Sequence, residues 1–262
     1  MSHHNIRKEL ATAEKEIIED FGELYRDYAH DLAILRQLSL LGFEPKAIYD
    51  VGSSDGIWSA MAHRVFPEAQ FELFEPLAEV SVDYRNSITS EAWISNLISN
   101  GRARIHPVAL GSKSGKCRMT VYPHAVGSTS LKLDYEPTDA KIVEVPMTSL
   151  NDLVKAQKLP VPSLIKLDTQ GSELDILQGA ESLLSQVDVV LCECWLFKGY
   201  GSKTPLWLEV ANCLANKGLY IYDMGWAYRR PNDQRTATID IVFLRHNLNF
   251  SPLVGYTLED LQ

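Results

Sequence analysis

Three acidic residues lie at the ends of apolar runs, where a carboxylate can take part in proton or metal chemistry. Asp168 ends "LIKLD", Glu193 lies near the end of "VVLCECW", and Asp240 begins "DIVFLR". A carboxylate at such a place can take the proton of an attacking hydroxyl, or it can bind a divalent ion through oxygen. Asp168 and Glu193 are therefore candidate catalytic residues, and all three acids are possible ligands of a divalent metal ion.

A histidine in a Gly- and Ser-rich segment is the third catalytic candidate. His124 lies three residues before "GSTS" (127–130), and such a loop could close over a bound ligand. Imidazole is the commonest general base in proteins, because its pKa is close to neutral pH. His124 is thus the alternative base if the carboxylates do not serve.

The stretch "YDVGSSDGIW" (49–58) indicates a strand that turns through two glycines into a helix. Gly52 and Gly56 would let the backbone approach a ligand closely. Glu75 lies at the end of the next predicted strand, about 20 residues after the turn. A carboxylate at this spacing can accept both hydroxyls of a ribose. Strand, turn, helix, strand and acid together predict a nucleoside-binding half-site.

The spacing within the turn favours one kind of nucleoside. The acid and glycines run Asp50-x-Gly52-x-Ser54-x-Gly56, which fits the dinucleotide pattern G-x-G-x-x-G poorly. Asp50 would also sit unfavourably beside a pyrophosphate, but it suits a ligand with a cationic amino-acid end. S-adenosylmethionine is such a ligand.

Alternating strand and helix patterns must position these residues. Helical patterns separate the early apolar runs, which predicts a parallel sheet with helices on both faces. The last run follows its predecessor without a helix, so we expect that strand to be antiparallel. The predicted fold is α/β: a Rossmann-like, doubly wound, seven-stranded and mostly parallel sheet with the last strand antiparallel. The seven runs are 46–52, 70–76, 103–111, 163–171, 187–195, 219–225 and 238–246. The helical patterns between them are 56–66, 77–99, 172–185 and 205–217.

Two regions flank or interrupt this alternation. Residues 1–45 carry a helical period and form a predicted N-terminal helical extension that could cover the ligand or pair two subunits as a homo-oligomer. Residues 46–250 form the main predicted domain. Within it, 112–150 holds short β-prone pieces around Gly, Ser and Pro, which predicts a β insertion.

Composition excludes several classes of partner. The net charge of −9 argues against nucleic acid, whose phosphates need a basic surface. We expect no membrane partner, because no apolar run reaches the length of a membrane span. Four cysteines are too few for a disulfide framework, so we expect a reducing, cytoplasmic setting.

Six segments, in this order, resemble the FkbM-type class I methyltransferases. They are "IYDVGSSDGIWS", "FELFEP", "HPVALGSKSGK", "VPMTSLNDL", "IKLDTQGSELDILQGA" and "IDIVFLR", and they span about residues 35–246. The resemblance implies dependence on S-adenosylmethionine and O-methylation of a hydroxyl on a small molecule, a sugar or glycan, or a polyketide-type acceptor. It implies cofactor binding at Asp50, Gly52, Ser53, Ser54, Gly56, Glu75, Ala109 and Asp168. The family often has Ala-Asn at Ser53-Ser54 and Glu at Gln170.

Two other functions stay open on the sequence. A nicotinamide-dependent oxidoreductase would use a similar sheet, but the turn pattern disfavours it and no Tyr-x-x-x-Lys pair is evident. A non-catalytic nucleoside-binding scaffold is compatible with Ser53, Ser54 and Gln170. Binding of S-adenosylmethionine rather than NAD separates the first alternative, and turnover separates the second.

Overall fold

The computed structural model describes residues 6–80, 92–123, 127–135 and 138–246. His124 lies outside these ranges, so its catalytic role stays a sequence prediction. The helices are α1 Ile6–Phe21, a 3-10 helix Glu23–Tyr28, α2 Ala29–Leu40, α3 Ile57–Val65, α4 Ala92–Ser99, α5 Leu150–Gln157, α6 Glu173–Gly179 and α7 Trp207–Ala215. The strands are β1 Ala47–Val51, β2 Gln70–Phe74, β3 Ala103–His106, β4 Ala109–Leu110, β5 Gly115–Val121, β6 Lys141–Thr148, β7 Leu164–Leu167, β8 Val189–Trp195, β9 Leu219–Arg229 and β10 Thr236–Arg245.

Seven of the strands form one sheet in the order β3-β2-β1-β7-β8-β10-β9. The pairs of β1 with β2 and β7, of β2 with β3, and of β7 with β8 are all parallel. β10 is antiparallel to both β8 and β9, because only the short loop 230–235 joins β9 to β10. The α/β class and the antiparallel last strand are thus confirmed.

The predicted strand 103–111 is wrong in one respect: it is two strands in two different sheets. β3 joins the large sheet, whereas β4 joins β5 and β6 in a three-stranded sheet of order β4-β6-β5. Pro107 lies between them; it has no N–H to give to a ladder, and the backbone turns there, where Val108 N donates to the carbonyl of His106. Strands β5 and β6 lie inside the predicted β insertion 112–150.

Three other predicted bounds differ from the structure. Within the described part of 77–99, the helix covers only Ala92–Ser99. The helix predicted over 172–185 ends at Gly179, where the chain tightens into a turn and Ala180 N donates to Leu177 O. β9 extends to Arg229, four residues beyond the prediction, because its hairpin with β10 continues the ladder.

Strand residues alternate between two layers. One face packs on α1, α2 and α3, and the other packs on α5, α6 and α7. On the α1–α3 face the inward positions are apolar until the strands approach the edge that holds the carboxyl ends of the parallel strands, where they become polar. The polar positions that continue this face are Asp50, Lys166, Asp168, Glu193 and Asp240. Within the described ranges no helix is long and apolar enough to cross a membrane.

Candidate functional site

A cavity of about 310 Å³ opens at the carboxyl ends of β1, β2 and β7. Five residues predicted to bind the cofactor line it: Gly52, Ser54, Glu75, Ala109 and Asp168. One wall is apolar, formed by Leu77, Val108, Leu110, Met119 and Ile176. The 3-10 helix adds Leu24, Tyr25, Asp27 and Tyr28, and the predicted loop adds Gly127, Ser128 and Ser130. The predicted N-terminal extension therefore contributes to the cavity through its 3-10 helix.

The first glycine of the turn is required by a crossing of two chain segments. Gly52 has φ +78°, and a Cβ placed on it would lie 1.9 Å from the carbonyl oxygen of Asp168. Any other residue would both strain the backbone and push the two strand ends apart. Gly56, also in the left-handed region at φ +81°, is the residue before α3. The turn thereby brings the ends of β1 and β7 into contact at the cavity.

Glu75 fixes the turn and keeps acceptor capacity. Its Oε2 accepts from the backbone N–H of Ser54 at 3.0 Å, and its Oε1 accepts from that of Leu77 at 2.9 Å. The residue is only 6% exposed, and this burial raises the pKa of Glu75 to about 7. Each carboxylate oxygen has a second lone pair, so the group can still accept ligand hydroxyls in the cavity.

Asp50 and Ser53 lie behind the lining of the cavity. Asp50 is fully buried; its Oδ2 accepts from Ser59 Oγ at 2.7 Å, and burial raises its pKa. Its Oδ1 lies 3.6 Å from Lys166 Nζ. Ser53 is 3% exposed, and its Oγ has no hydrogen-bond partner among the described residues. Direct contact of Asp50 with a cationic ligand end therefore stays a prediction.

Lys166 is a buried cation that sequence reasoning missed. It is 3% exposed, with Nζ 3.3 Å from Asp168 Oδ2 and 5.8 Å from the ring centre of Trp58. Burial alone would lower the pKa of Lys166, but Asp168 and Asp50 together raise it well above the usual lysine value. The ammonium group thus stays charged and links the acid in β1 to the acid after β7. A lysine inside the apolar run "LIKL" was the signal in the sequence.

Two of the predicted acids are joined through Gln170. Its Nε2 donates to Asp168 Oδ1 at 2.9 Å and to Glu193 Oε2 at 3.1 Å. Asp168 keeps 30% of its side-chain surface exposed and reaches the cavity. Burial first, and then the charges of Asp168, Glu173 and Asp240, raise the pKa of Glu193 well above its ordinary value.

Asp240 lies beside Glu193 on the adjacent strand, on the same face of the sheet. The two residues are register partners in the antiparallel pair of β10 and β8. Burial and the charge of Asp31 raise the pKa of Asp240 well above its ordinary value. Within the part of the chain that the structure describes, no three His, Cys, Asp or Glu side chains group as a metal site. Metal binding by Asp168, Glu193 and Asp240 accordingly has no support from their geometry.

Another buried acid fixes the turn after β7. Glu173, 1% exposed, accepts through Oε1 from the backbone N–H groups of Thr169 and Gly171 and from the Thr169 hydroxyl. Because these donors come from the turn "TQG", the carboxylate fixes the path of the chain just beyond Asp168. Glu173 is thus a supporting residue of the site, and a motif alone does not reveal this.

The geometry defines a Rossmann-like α/β protein whose cavity lies at a glycine turn between two acids. The family model described as "Methyltransferase FkbM domain" matches residues 50–220. The match covers well over half of the chain, and the chain belongs to this family. It is a methyltransferase, as the resemblance of its motifs indicated.

Curated relatives agree with this assignment. "Methyltransferase 1" of Beauveria bassiana is 23% identical over 192 residues, 65% of this chain and 72% of the relative. "Methyltransferase sdnD" of Sordaria araneosa is 25% identical over 217 residues, 72% of this chain and 79% of the relative. The crystal structure of methyltransferase FkbM from Methylobacillus flagellatus KT is 15% identical, with a TM-score of 0.48 over 88% of this chain and 58% of that chain.

Proposed function

We propose that this protein is an S-adenosylmethionine-dependent O-methyltransferase acting on a hydroxyl of a small-molecule, sugar or glycan, or polyketide-type acceptor. The proposal rests on one observation: Glu75 and Asp168 line the same cavity. One acid is suited to a ribose and the other to an acceptor hydroxyl. The two chemical ends that a methyl-donor site needs are thus present in one space.

The residues fit the proposed cofactor. Glu75 supplies carboxylate oxygens for the ribose hydroxyls, and Leu77, Val108 and Leu110 supply an apolar wall for the adenine ring. Gly52, whose lack of a Cβ lets the ends of β1 and β7 meet, lines the same cavity.

The reaction needs one proton acceptor. Bound S-adenosylmethionine supplies an electrophilic methyl group: a carbon–oxygen bond forms to the acceptor, the carbon–sulfur bond breaks, and its electron pair stays on sulfur. Asp168 accepts the proton that leaves the attacking hydroxyl. Lys166 Nζ, 3.3 Å from Asp168 Oδ2, pairs with the carboxylate and holds it in place beside the cavity.

Calorimetry with three ligands tests the cofactor. S-adenosylmethionine and S-adenosylhomocysteine should bind, and NAD should not. Glu75→Ala should weaken binding of the first two by about 2–3 kcal/mol, the scale of a lost pair of charge-assisted hydrogen bonds. Preferential binding of NAD would support the oxidoreductase alternative, and unchanged affinity in the variant would remove Glu75 from the site.

Turnover tests the rest of the proposal. Binding of both sulfur ligands without methyl transfer to any hydroxyl acceptor would favour the nucleoside-binding scaffold. For the affinity measurement on Glu75→Ala, the matched control is exposed Glu209, which pairs with Lys198 away from the cavity. Glu209→Ala should leave cofactor affinity unchanged.

A further inference from the structure

Glu193 and Asp240 form a pair of acids at the edge of the large sheet that holds the carboxyl ends of the parallel strands. They are register partners on β8 and β10, so their side chains lie on one face with Cβ atoms about 5 Å apart. Neither residue is among those that line the cavity of about 310 Å³, although Asp168 lines it. Like charges directly opposite each other destabilise a sheet. This acid pair therefore needs a source of positive charge.

The described side chains around the acid pair do not balance its charge. Glu193 accepts at 3.1 Å from a neutral side-chain amide, and no hydrogen bond to the carboxylate of Asp240 is found among the described residues. The ammonium of Lys166 acts on Asp240 as well, but it already pairs with Asp168 Oδ2 at 3.3 Å. Burial first, and then the charge of Asp31, raise the pKa of Asp240 well above its ordinary value. Negative charge is thus in excess at the pair.

Asp31 adds a buried oxygen that has no hydrogen-bond partner. The residue lies on α2 and is 3% exposed, and its Oδ2 accepts from Trp58 Nε1 at 2.7 Å. Its Oδ1 is buried and accepts from none of the described residues. A buried acceptor without a hydrogen-bond donor is costly, and native proteins seldom keep one without a reason. Asp31 therefore brings a second demand for a donor to the side of Asp240 that α2 covers.

A β-bulge brings an indole ring to the same place. The register of β9 and β10 shifts here, so that Gly225 and Trp226 both lie opposite the single residue Asp240. The ring centre of Trp226 is 6.0 Å from that of His30 on α2, and Trp226 Nε1 is buried with no partner among the described residues. A Cβ placed on Gly225 would lie 3.4 Å from Asp240 Cβ and 3.7 Å from His30 Cβ. Asp240 thus lies between an acid on β8 and an indole on β9, beside α2.

A protonated amine has the chemistry that these groups require. Its three N–H groups can donate to three acceptors, and hydrogen bonds from an ammonium to carboxylates are stronger than those between neutral groups. The face of an indole ring also attracts a cation. A divalent metal ion fits less well, because no three metal-ligating side chains group together within the described ranges.

We propose that the acceptor carries a protonated amine a few bonds from the hydroxyl that is methylated, as in an amino alcohol or amino sugar, and that Glu193 and Asp240 bind this amine beside Trp226. The inference rests on the proposed methyl transfer, which places the hydroxyl at Asp168. The short separation follows from the geometry, since Asp168 and Glu193 both accept from the one amide nitrogen of Gln170, at 2.9 and 3.1 Å.

Two matched pairs of small molecules test the proposal on the wild-type protein. Glucosamine differs from glucose, and ethanolamine from ethylene glycol, by an ammonium in place of a hydroxyl. Calorimetry or ligand-detected NMR measures their affinities, with and without S-adenosylhomocysteine. Each amine should bind about tenfold or more tighter than its neutral analogue, the scale of hydrogen bonds to charged groups. Equal affinities within both pairs, or no binding of either amine at millimolar concentration, would overturn the proposal.

Two isosteric substitutions locate the amine. Asp240→Asn and Glu193→Gln should each weaken glucosamine binding by about tenfold and leave glucose binding unchanged, because only the ammonium needs the negative charge. Affinity for S-adenosylmethionine should stay within about twofold of the wild type, since neither residue lines the cavity. Exposed Asp139 is the control, and Asp139→Asn should bind every probe as the wild type does. Full preference for glucosamine in both variants would show that the acid pair does not bind the amine.

These binding measurements need no methyl transfer, so they separate this inference from the proposed function. A preference for amines without turnover would keep the cation site and remove the methyl transfer. Methyl transfer to a neutral hydroxyl acceptor, with no preference for amines, would remove the inference alone. Melting temperatures identify any variant that fails to fold, and the comparison of probes on the wild type does not depend on them.

Discussion

Asp168 has the contacts that a positioned base needs. It reaches the cavity with 30% of its side chain exposed, while Lys166 and Gln170 hold its two oxygens. Asp168→Asn keeps the shape and removes the charge, so turnover should fall by about 100-fold or more. Cofactor affinity should change little, because Glu75 and the glycine turn are untouched. Single-turnover kinetics and calorimetry measure the two quantities separately.

Exposed Asp139 provides the control for this change, since Asp139→Asn should leave turnover intact. Chelation divides the two mechanisms considered for Asp168. Turnover that survives a chelator agrees with a direct base, whereas loss that a divalent ion restores would support metal coordination. Normal turnover in Asp168→Asn would make the assignment wrong and leave His124 as the next candidate.

The sequence reveals site residues that lie at strand ends, but not those that act through distant contacts. Asp168, Glu193 and Asp240 were identified because strand ends meet at one edge of a sheet. Asp31 was not identified: it lies on α2, is 3% exposed, and its Oδ2 accepts from Trp58 Nε1 on α3 at 2.7 Å. That contact depends on how two helices pack on the sheet, which no local pattern contains.

At the scale of elements, the 3-10 helix Glu23–Tyr28 is tied to the glycine turn. The Tyr25 hydroxyl donates to Asp55 Oδ2 at 2.6 Å, and Asp55 Oδ1 accepts from the backbone N–H of Ile57 at the start of α3. Tyr25→Phe should lower affinity for S-adenosylmethionine by about three- to tenfold, since a hydrogen bond to a charged group is lost beside the cavity. Calorimetry measures the affinity, and hydrogen exchange measures the protection of residues 23–28.

Tyr220, exposed on β9, provides the control for this prediction. Tyr220→Phe should behave as the wild type in both measurements. If Tyr25→Phe binds the cofactor normally and its 3-10 helix exchanges no faster, the N-terminal helices do not contribute to binding through this contact. They would then serve only to cover the sheet.

Periodicity predicted the elements better than their ends. The antiparallel last strand followed from the missing crossover helix, and the structure has it. The division of 103–111 did not follow from apolar patterning, because Pro107 interrupts the ladder while the run stays apolar on both sides. β9 likewise extends beyond its predicted end, because pairing with β10 in a hairpin continues the ladder to Arg229.

At the scale of the whole molecule, acids buried between the sheet and the N-terminal helices link stability to pH. Burial raises the pKa of Asp31 from 3.8 to about 7, so the folded protein holds a proton there more tightly than the unfolded chain does. The resulting stability is fully present below pH 3.8 and is lost as the pH rises toward 7. Wild-type stability should therefore fall over this range, partly because Asp31 ionises.

Asp31→Asn stays neutral at every pH and retains an oxygen that can accept from Trp58 Nε1. Between pH 5 and pH 8, the free energy of unfolding of the wild type should fall by about 2 kcal/mol more than that of the variant. Urea unfolding at several pH values measures this difference, and exposed Asp139→Asn should follow the wild type. Parallel curves for the wild type and Asp31→Asn would mean that Asp31 stays ionised in the fold, held in that state by the ammonium of Lys166.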